Sequence, residues 1–240
     1  PAARVAMSKA DETERHELGY LTDLISARAV DYVDRMAQQP SPFFLSLHYT
    51  APHWPWETRD DRAVADEVRS NIFHLHGGNL HTYRRMIHHM DEGIGWVMQA
   101  LEQHGLADNT LVVFTSDNGG ERFSDNWPLV GGKMDLTEGG IRVPWIAHWP
   151  AVIAPGGVSE QHAMTMDWSA TLLDAAGVAA HPEYPLDGLS LLPLLHNAQH
   201  RFDRPMHWRM KHRGQRALRH GDWKYLQVDG HEYLFNIPAD

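Results

Sequence analysis

The sequence contains no cysteine in its 240 residues. Disulfides, thiolate metal sites and a cysteine nucleophile are therefore excluded from this chain. That absence leaves the compartment open, because many secreted proteins also lack disulfides. No apolar run approaches the roughly 20 residues needed to span a membrane. Positive charge is scarce too: 21 Lys and Arg stand against 31 Asp and Glu, a formal net charge of −10. Such a field repels polyanions, which argues against a nucleic-acid partner. Any anionic substrate must be met by local positive groups. The opening stretch PAARVAMSKADETERHE lacks a signal-peptide pattern and does not resemble an initiator segment. It reads as the interior of something longer.

Hydrophobic residues make up 42% of the chain, enough for one large domain with or without a small appendage. Leu18 to Gln39 has helical spacing, with Leu21, Leu24, Ile25, Tyr32, Val33 and Met36 on one face. Pro40 and Pro42 stop that helix. Phe43 to Tyr49 is a short, mostly apolar run that predicts a buried strand. TAPHWPWE follows as a stiff turn around Pro52 and Pro55.

Asn79 is placed to cap a long helix whose core stripe is Tyr83, Met86, Ile87, Met90, Ile94, Val97, Met98 and Leu101. Gly105 closes it. Leu111 to Ser116 predicts a strand. Ile141 to Trp149 is a second apolar stretch, weakened as a strand by Pro144. Thr165 to Ala176 is helical again and ends at Gly177. This alternation predicts an α/β fold with a mainly parallel central sheet flanked by helices. After Leu195 the texture changes to short alternating runs separated by RGQ, HGD and VDG, which predicts a small antiparallel sheet.

In open α/β sheets, ligands bind at the carboxyl ends of strands. Two loops here qualify: TAPHWPWE and SDNGGERFSDNWPLVGGK. Asp117 and Asn118 offer two hard oxygen donors, suited to Ca²⁺ or Mg²⁺; they also suit an ordinary Asp-Asn-Gly turn. Lys133, directly preceded by Gly131 and Gly132, is either an anion contact or a solvated surface lysine. His53 is either a proton donor or anion binder, or a histidine packed in a turn. Among the 18 histidines, His74 and His76 could share a strand face and bind zinc, but no third ligand is placed. His88 and His89 fall at the polar edge of the long helix. Trp54, Trp56 and Trp127 flank the candidate loops, either to stack on a sugar or aryl ring or to cover core.

Taken in order, LHYTAPHWPWE, MDEGIGWVMQALEQHGLADNTLVVFTSDNGG, GGKMDLTEGGIRVPWIAHWP and LDGLSLLPLL resemble the type I sulfatases of the alkaline-phosphatase-like superfamily. The tail RALRHGDWKYLQVDGHEYLFNI resembles that family's C-terminal small sheet. The resemblance implies a sulfuric ester hydrolase. It implies that residues 1–198 form the C-terminal part of a catalytic α/β domain, incomplete here, and 199–240 a small antiparallel subdomain. It implies that Asp117 and Asn118 are half of a calcium site, with Mg²⁺ as the alternative ion. Lys133 would hold the sulfate, and His53 would contact the ester near its leaving oxygen. The substrate would be a sulfated small molecule or carbohydrate.

Several family features have no match in this sequence. The paired aspartates, the Cys- or Ser-x-Pro/Ala-x-Arg motif that yields the formylglycine nucleophile, and the Gly-Lys-x-His segment are not found. The chain is thus expected to be inactive alone, partnered by the N-terminal half of the same fold, and to expose an unpaired apolar strand edge. Asp125, Asp135 and Glu138 are the first acids expected to add to the metal shell if this chain completes it. The alternatives are a phosphodiesterase or phosphonate monoester hydrolase of the same superfamily, or a non-catalytic truncated remnant.

Overall fold

A computed structural model describes residues 2–4, 16–71 and 73–240. They fall into two compact units, Pro1–Ala107 and Asp108–Asp240. In the first, strand β1 (Ala2–Arg4) pairs antiparallel with β2 (His16–Leu18). Three helices follow: α1 (Leu21–Met36), α2 (Arg62–Val68) and α3 (Leu80–Gln103). Asn79 caps α3 as its position predicts, its side chain accepting from the Thr82 amide at 3.0 Å. Beyond α3, Gly105 takes φ +67°, a left-handed conformation that glycine adopts without steric cost.

Helices α1 and α3 pack on one another through small groups rather than large ones. The buried face of α1 is Thr22, Ser26, Ala29 and Val33, so only Val33 of the expected apolar stripe is fully inside. The reason lies at Gly93. A Cβ there would sit 2.0 Å from Ser26 Oγ and 3.1 Å from Tyr49 Oη. Ser26 Oγ donates to the Thr22 carbonyl at 2.8 Å and meets Tyr49 Oη at 2.9 Å, so the close approach leaves no polar group stranded. On α3, Met86 and Leu101 are buried, but Ile87 is exposed. His89 is also buried, its ring edge-on to Tyr20, and not at the polar edge; His88 is exposed.

Phe43 to Tyr49 is not a buried strand. It alternates half-buried and exposed positions, Phe44 being 67% exposed, and it joins no ladder among the described residues. His74 and His76 lie in the loop between α2 and α3, not on a strand face.

In the second unit, β3 (Val112–Thr115) pairs antiparallel with β4 (Trp145–His148), Val112 opposite His148 and Thr115 opposite Trp145. The expected mainly parallel pairing is therefore not what the described residues contain: every strand pair among them is antiparallel. The glycine-rich loop returns the chain alongside β3, so β4 runs antiparallel to it. Helices α4 (Glu138–Ile141), α5 (Asp167–Ala175) and α6 (Leu192–His196) belong to this unit. Buried Asp167 knits its surroundings, accepting from the amides of Met164 at 2.7 Å and Leu189 at 2.9 Å and pairing with Arg204. The predicted small sheet is present, with strand order β5 (Met206–Arg209), β6 (Arg216–His220), β7 (Trp223–Val228) and β8 (His231–Asn236).

The loop between β3 and β4 is held by backbone packed on backbone. A Cβ on Gly119 would fall 1.8 Å from the Gly139 carbonyl oxygen, and one on Gly139 would fall 2.2 Å from that of Gly131. No residue with a side chain fits either place. The amide of Gly119 donates to Gly140 O at 2.8 Å, that of Lys133 to Gly120 O at 3.0 Å, and that of Gly139 to Val130 O at 2.8 Å. The Asn126 amide group bridges Gly120 O at 3.1 Å and Gly131 O at 3.0 Å.

The small sheet clamps this loop from below. Gln215 accepts from the Leu136 amide at 2.9 Å and donates to Met134 O at 2.9 Å. Leu136 packs with Ala217 and Leu226 of the sheet. Glu138 lies between Lys224 Nζ at 2.8 Å and Arg219 Nη1 at 2.7 Å, with Lys224 only 1% exposed. Burial by itself would raise the Glu138 carboxyl; the hydrogen bond and charge of Lys224, with that of Arg219, outweigh it and hold the group below its ordinary range. Burial likewise pulls the Lys224 ammonium below its ordinary value.

Two outcomes follow from these contacts. Gly93→Ala should lower stability by about 1–3 kcal/mol through overpacking, read by chemical unfolding of the first unit's helices in far-UV circular dichroism. Glu138→Gln should cost about 3–5 kcal/mol, since it leaves a buried ammonium uncompensated. The sign with pH follows from the depressed folded value of Glu138. Its stabilisation is complete above the ordinary glutamate range and is lost as pH falls through the folded value. Guanidinium midpoints measured downward from pH 6 should therefore fall more steeply for the wild type than for Glu138→Gln. Parallel curves would remove Glu138 as the source.

Candidate active site

Strand β3 ends at Thr115, and Asp117 and Asn118 stand just beyond it. The turn is pinned by Ser116 Oγ, which donates to Asn118 O at 3.1 Å. Asp117 is exposed, and its carboxylate has no protein partner among the described residues. Asn118 uses its Nδ2 on Gly119 O at 2.9 Å, which leaves Oδ1 available as an oxygen donor. The two side chains thus present hard oxygens not committed to the fold.

Lys133 is fixed at its backbone by the loop and at its tip by one ion pair. Its amide is tied to Gly120 O, two residues beyond Asn118. The interlocked glycines therefore bring the Lys133 backbone beside the acid–amide turn. Its ammonium, 24% exposed at the side chain, pairs with Glu121 Oε2 at 3.1 Å. Glu121 was not a sequence candidate; its one signal was an acid directly after the first glycine pair. Asn126 and Gln215, which hold this loop together, carried no signal in the sequence.

The other acids of the loop are already engaged. Asp125 accepts from the Trp127 amide at 3.0 Å, and Asp135 accepts from the Gly132 amide at 3.2 Å. Glu138 is committed to Lys224 and Arg219. Asp117 and Asn118 therefore stand without a third acidic ligand among the described residues.

His53 belongs to the first unit. Its amide donates to Thr50 O at 2.9 Å, closing the turn around Pro52. Its ring is exposed, and Nδ1 lies 2.7 Å from the Trp54 carbonyl oxygen. A carbonyl only accepts, so Nδ1 carries a proton and Nε2 faces outward as the exchangeable nitrogen. Trp54 packs tilted against this ring, with centroids 4.5 Å apart, and against Phe73 at 5.5 Å. Trp56 is core at 3% exposure, whereas Trp127 is 85% exposed.

The described helices include none long and apolar enough to cross a membrane. The family model described as Sulfatase matches residues 3–178. N-acetylgalactosamine-6-sulfatase of Mus musculus is 34% identical over 193 residues, 78% of this chain and 34% of that protein. The uncharacterized sulfatase YdeN of Escherichia coli (strain K12) is 32% identical over 181 residues, 74% of this chain and 31% of that protein. Among solved structures, Ps i-CgsB in complex with k-i-k-neocarrahexaose superposes with a TM-score of 0.83 at 33% identity, over 96% of this chain and 51% of that one. The chain thus spans about a third of the length of the curated relatives it matches and about half of that solved one. It shares the α/β, alkaline-phosphatase-like fold of those structures. On the match over residues 3–178 and on these identities, the chain belongs to the sulfatase family.

Proposed function

We propose that this chain supplies His53, Lys133, Asp117 and Asn118 to an active site that hydrolyses sulfate esters to an alcohol and inorganic sulfate. An N-terminal portion of the same fold would complete that site. The observation that carries the reading is the glycine interlock, which ties the Lys133 backbone to Gly120 beside Asp117 and Asn118. The exposed apolar residues Phe44 (67%) and Ile146 (60%) on extended segments support a further portion packing there. We also read residues 1–198 as catalytic domain and 199–240 as a subdomain whose sheet buttresses the lysine loop.

Sulfatase membership suggests a metal ion cofactor. Asp117 and Asn118 fit two places in the shell of a hard cation, Ca²⁺ by preference, because both oxygens are uncommitted and neither is a soft donor. When bound, such an ion stabilises negative charge on sulfate oxygens. The Lys133 ammonium would hold one of those oxygens and strengthen its contact as charge develops in the transition state. His53, with Nδ1 anchored on the Trp54 carbonyl, would hold a proton at Nε2 for the leaving oxygen. The nucleophile, a formylglycine in this reading, would come from the N-terminal portion. The relatives' names and the neocarrahexaose complex support a sulfated carbohydrate as substrate, and exposed Trp127 suits stacking on a sugar ring.

The 240-residue chain alone should not turn over an aryl sulfate, because no nucleophile is present. Its calcium affinity should be weak, about millimolar, since two ligands fall well short of the roughly six to eight that calcium prefers. Calorimetric titration checks the second point. Micromolar binding would mean that other residues here complete the shell. Joined to a sulfatase N-terminal portion, the chain should gain activity on sulfate esters, and Lys133→Ala should reduce it by about 10²–10³-fold. Activity unchanged by Lys133→Ala, or faster turnover of phosphate esters, would overturn the assignment.

A further inference from the structure

The loop between α2 and α3 holds two histidines that the hydrolytic reading leaves unused, and helix α2 brings them the third ligand that their spacing lacked. Glu67 Oε1 lies 2.8 Å from His76 Nε2 and 3.9 Å from His74 Nε2. One donor atom from each of the three residues falls within 4.8 Å of the others. The imidazoles of His74 and His76 meet edge to face, with centroids 5.6 Å apart.

His74 is the unusual member. Its side chain is 3% exposed, and its Nδ1 is buried without a hydrogen-bond partner. The 3.9 Å gap from Nε2 to Glu67 is too long for a hydrogen bond. Among the described residues Nδ1 is therefore unsatisfied, and burying such a group costs about 1–3 kcal/mol. The chain nevertheless makes room for the ring: a Cβ on Gly77 would fall 1.8 Å from His74 Nε2. His74 itself sits at φ +43°, a left-handed conformation uncommon for any residue but glycine.

We propose that Glu67, His74 and His76 form a binding site for a divalent transition metal, zinc first. Two imidazoles and one carboxylate are borderline donors that favour zinc over calcium, unlike the oxygen pair Asp117 and Asn118. In a tetrahedral site, bonds of 2.0–2.2 Å put donor atoms about 3.3–3.5 Å apart. The separations here bracket that value. Movement of Glu67 and His76, both on the surface, would close the shell, with water in the fourth place. Nearby Asp66 is already balanced by Arg62 and Arg69, so Glu67 is the carboxylate left to meet a cation. The ion would clip α2 to the loop that carries Phe73, which packs on Trp54 beside His53. It would set the position of a surface next to His53 without touching the reacting atoms.

The test uses the whole 240-residue chain stripped by a chelator, with Zn²⁺ titrated by calorimetry and Co²⁺ as the visible probe. One saturable zinc site of roughly micromolar Kd is expected, with cobalt absorption bands of tetrahedral intensity. His76→Ala changes an exposed residue and should weaken zinc at least tenfold with folding intact by circular dichroism. Gly77→Ala should do the same without removing a ligand, and exposed His231→Ala should leave binding unchanged. Absence of saturable zinc binding below about 100 μM would overturn the proposal. So would affinity unchanged in both His76→Ala and Gly77→Ala, or lost in His231→Ala. The readout is independent of sulfatase activity, so it stands or falls apart from the proposed reaction.

Discussion

Glu138 sits where two buried cations converge, and neither can stay buried without it. Lys224 is 1% exposed at its side chain, Arg219 6%, and the carboxylate between them 11%. Inside a low-dielectric environment an unpaired ammonium is expensive, so the sheet that carries Lys224 and Arg219 must keep Glu138 in place. Glu138 opens α4, directly before Gly139 and Gly140. The charge requirement of the small sheet is thereby transmitted to the loop. Gln215 repeats the same link in neutral form, gripping Leu136 and Met134 on either side of Asp135. The segment that presents Lys133 is thus fixed from outside the loop, while glycines fix it from within.

The two kinds of constraint differ in what they tolerate. The glycine contacts are steric: at Gly119 and Gly139 the neighbouring carbonyl oxygen occupies the space of a Cβ. Such an arrangement admits no side chain and leaves few alternative paths for the backbone. The Glu138 cluster is electrostatic, so it responds to pH and to any loss of one partner. Together they turn a long connection between β3 and β4 into a scaffold stiff enough to hold functional groups at a strand end. The same device, at lower cost, operates between α1 and α3, where Gly93 and Ser26 let two helices approach closely.

What was legible in the sequence was mostly local. The Asn79 cap, the Gly105 and Gly177 stops, β3 and the hairpin-rich C-terminal sheet depend on residues close along the chain, and each lies where its pattern predicts. Non-local facts were hidden. Glu138 and Lys224 are 86 positions apart, and Leu136 and Gln215 are 79. On α1 the apolar stripe does not mark the buried face, because the helix contact selects small residues. Alternating elements predict a parallel sheet, but pairing depends on which strands meet, and Phe43 to Tyr49 meets none among the described residues. At the candidate site, the sequence supplied Asp117, Asn118, Lys133 and His53 through motif resemblance. It could not supply Glu121, because ion pairing of Lys133 is decided by a loop conformation no periodicity encodes.

The pairing of Lys133 with Glu121 bears on how a chain of net charge −10 could receive an anion. A lysine left alone at a strand end would be free to turn into solvent. Glu121 holds its ammonium at 3.1 Å across the same loop whose glycines hold its backbone. With the two side chains 24% and 46% exposed, such a pair is worth only about 0–1 kcal/mol. The lysine is therefore oriented at little energetic cost, and an anion with several acceptor oxygens could share it in the proposed site. A deeply buried pair would not allow that exchange, as the Glu138 cluster illustrates within the same loop. The loop thus contains one buried ion cluster that builds it and one solvent-exposed ion pair that only orients a side chain, and exposure to solvent is the physical variable that separates the two.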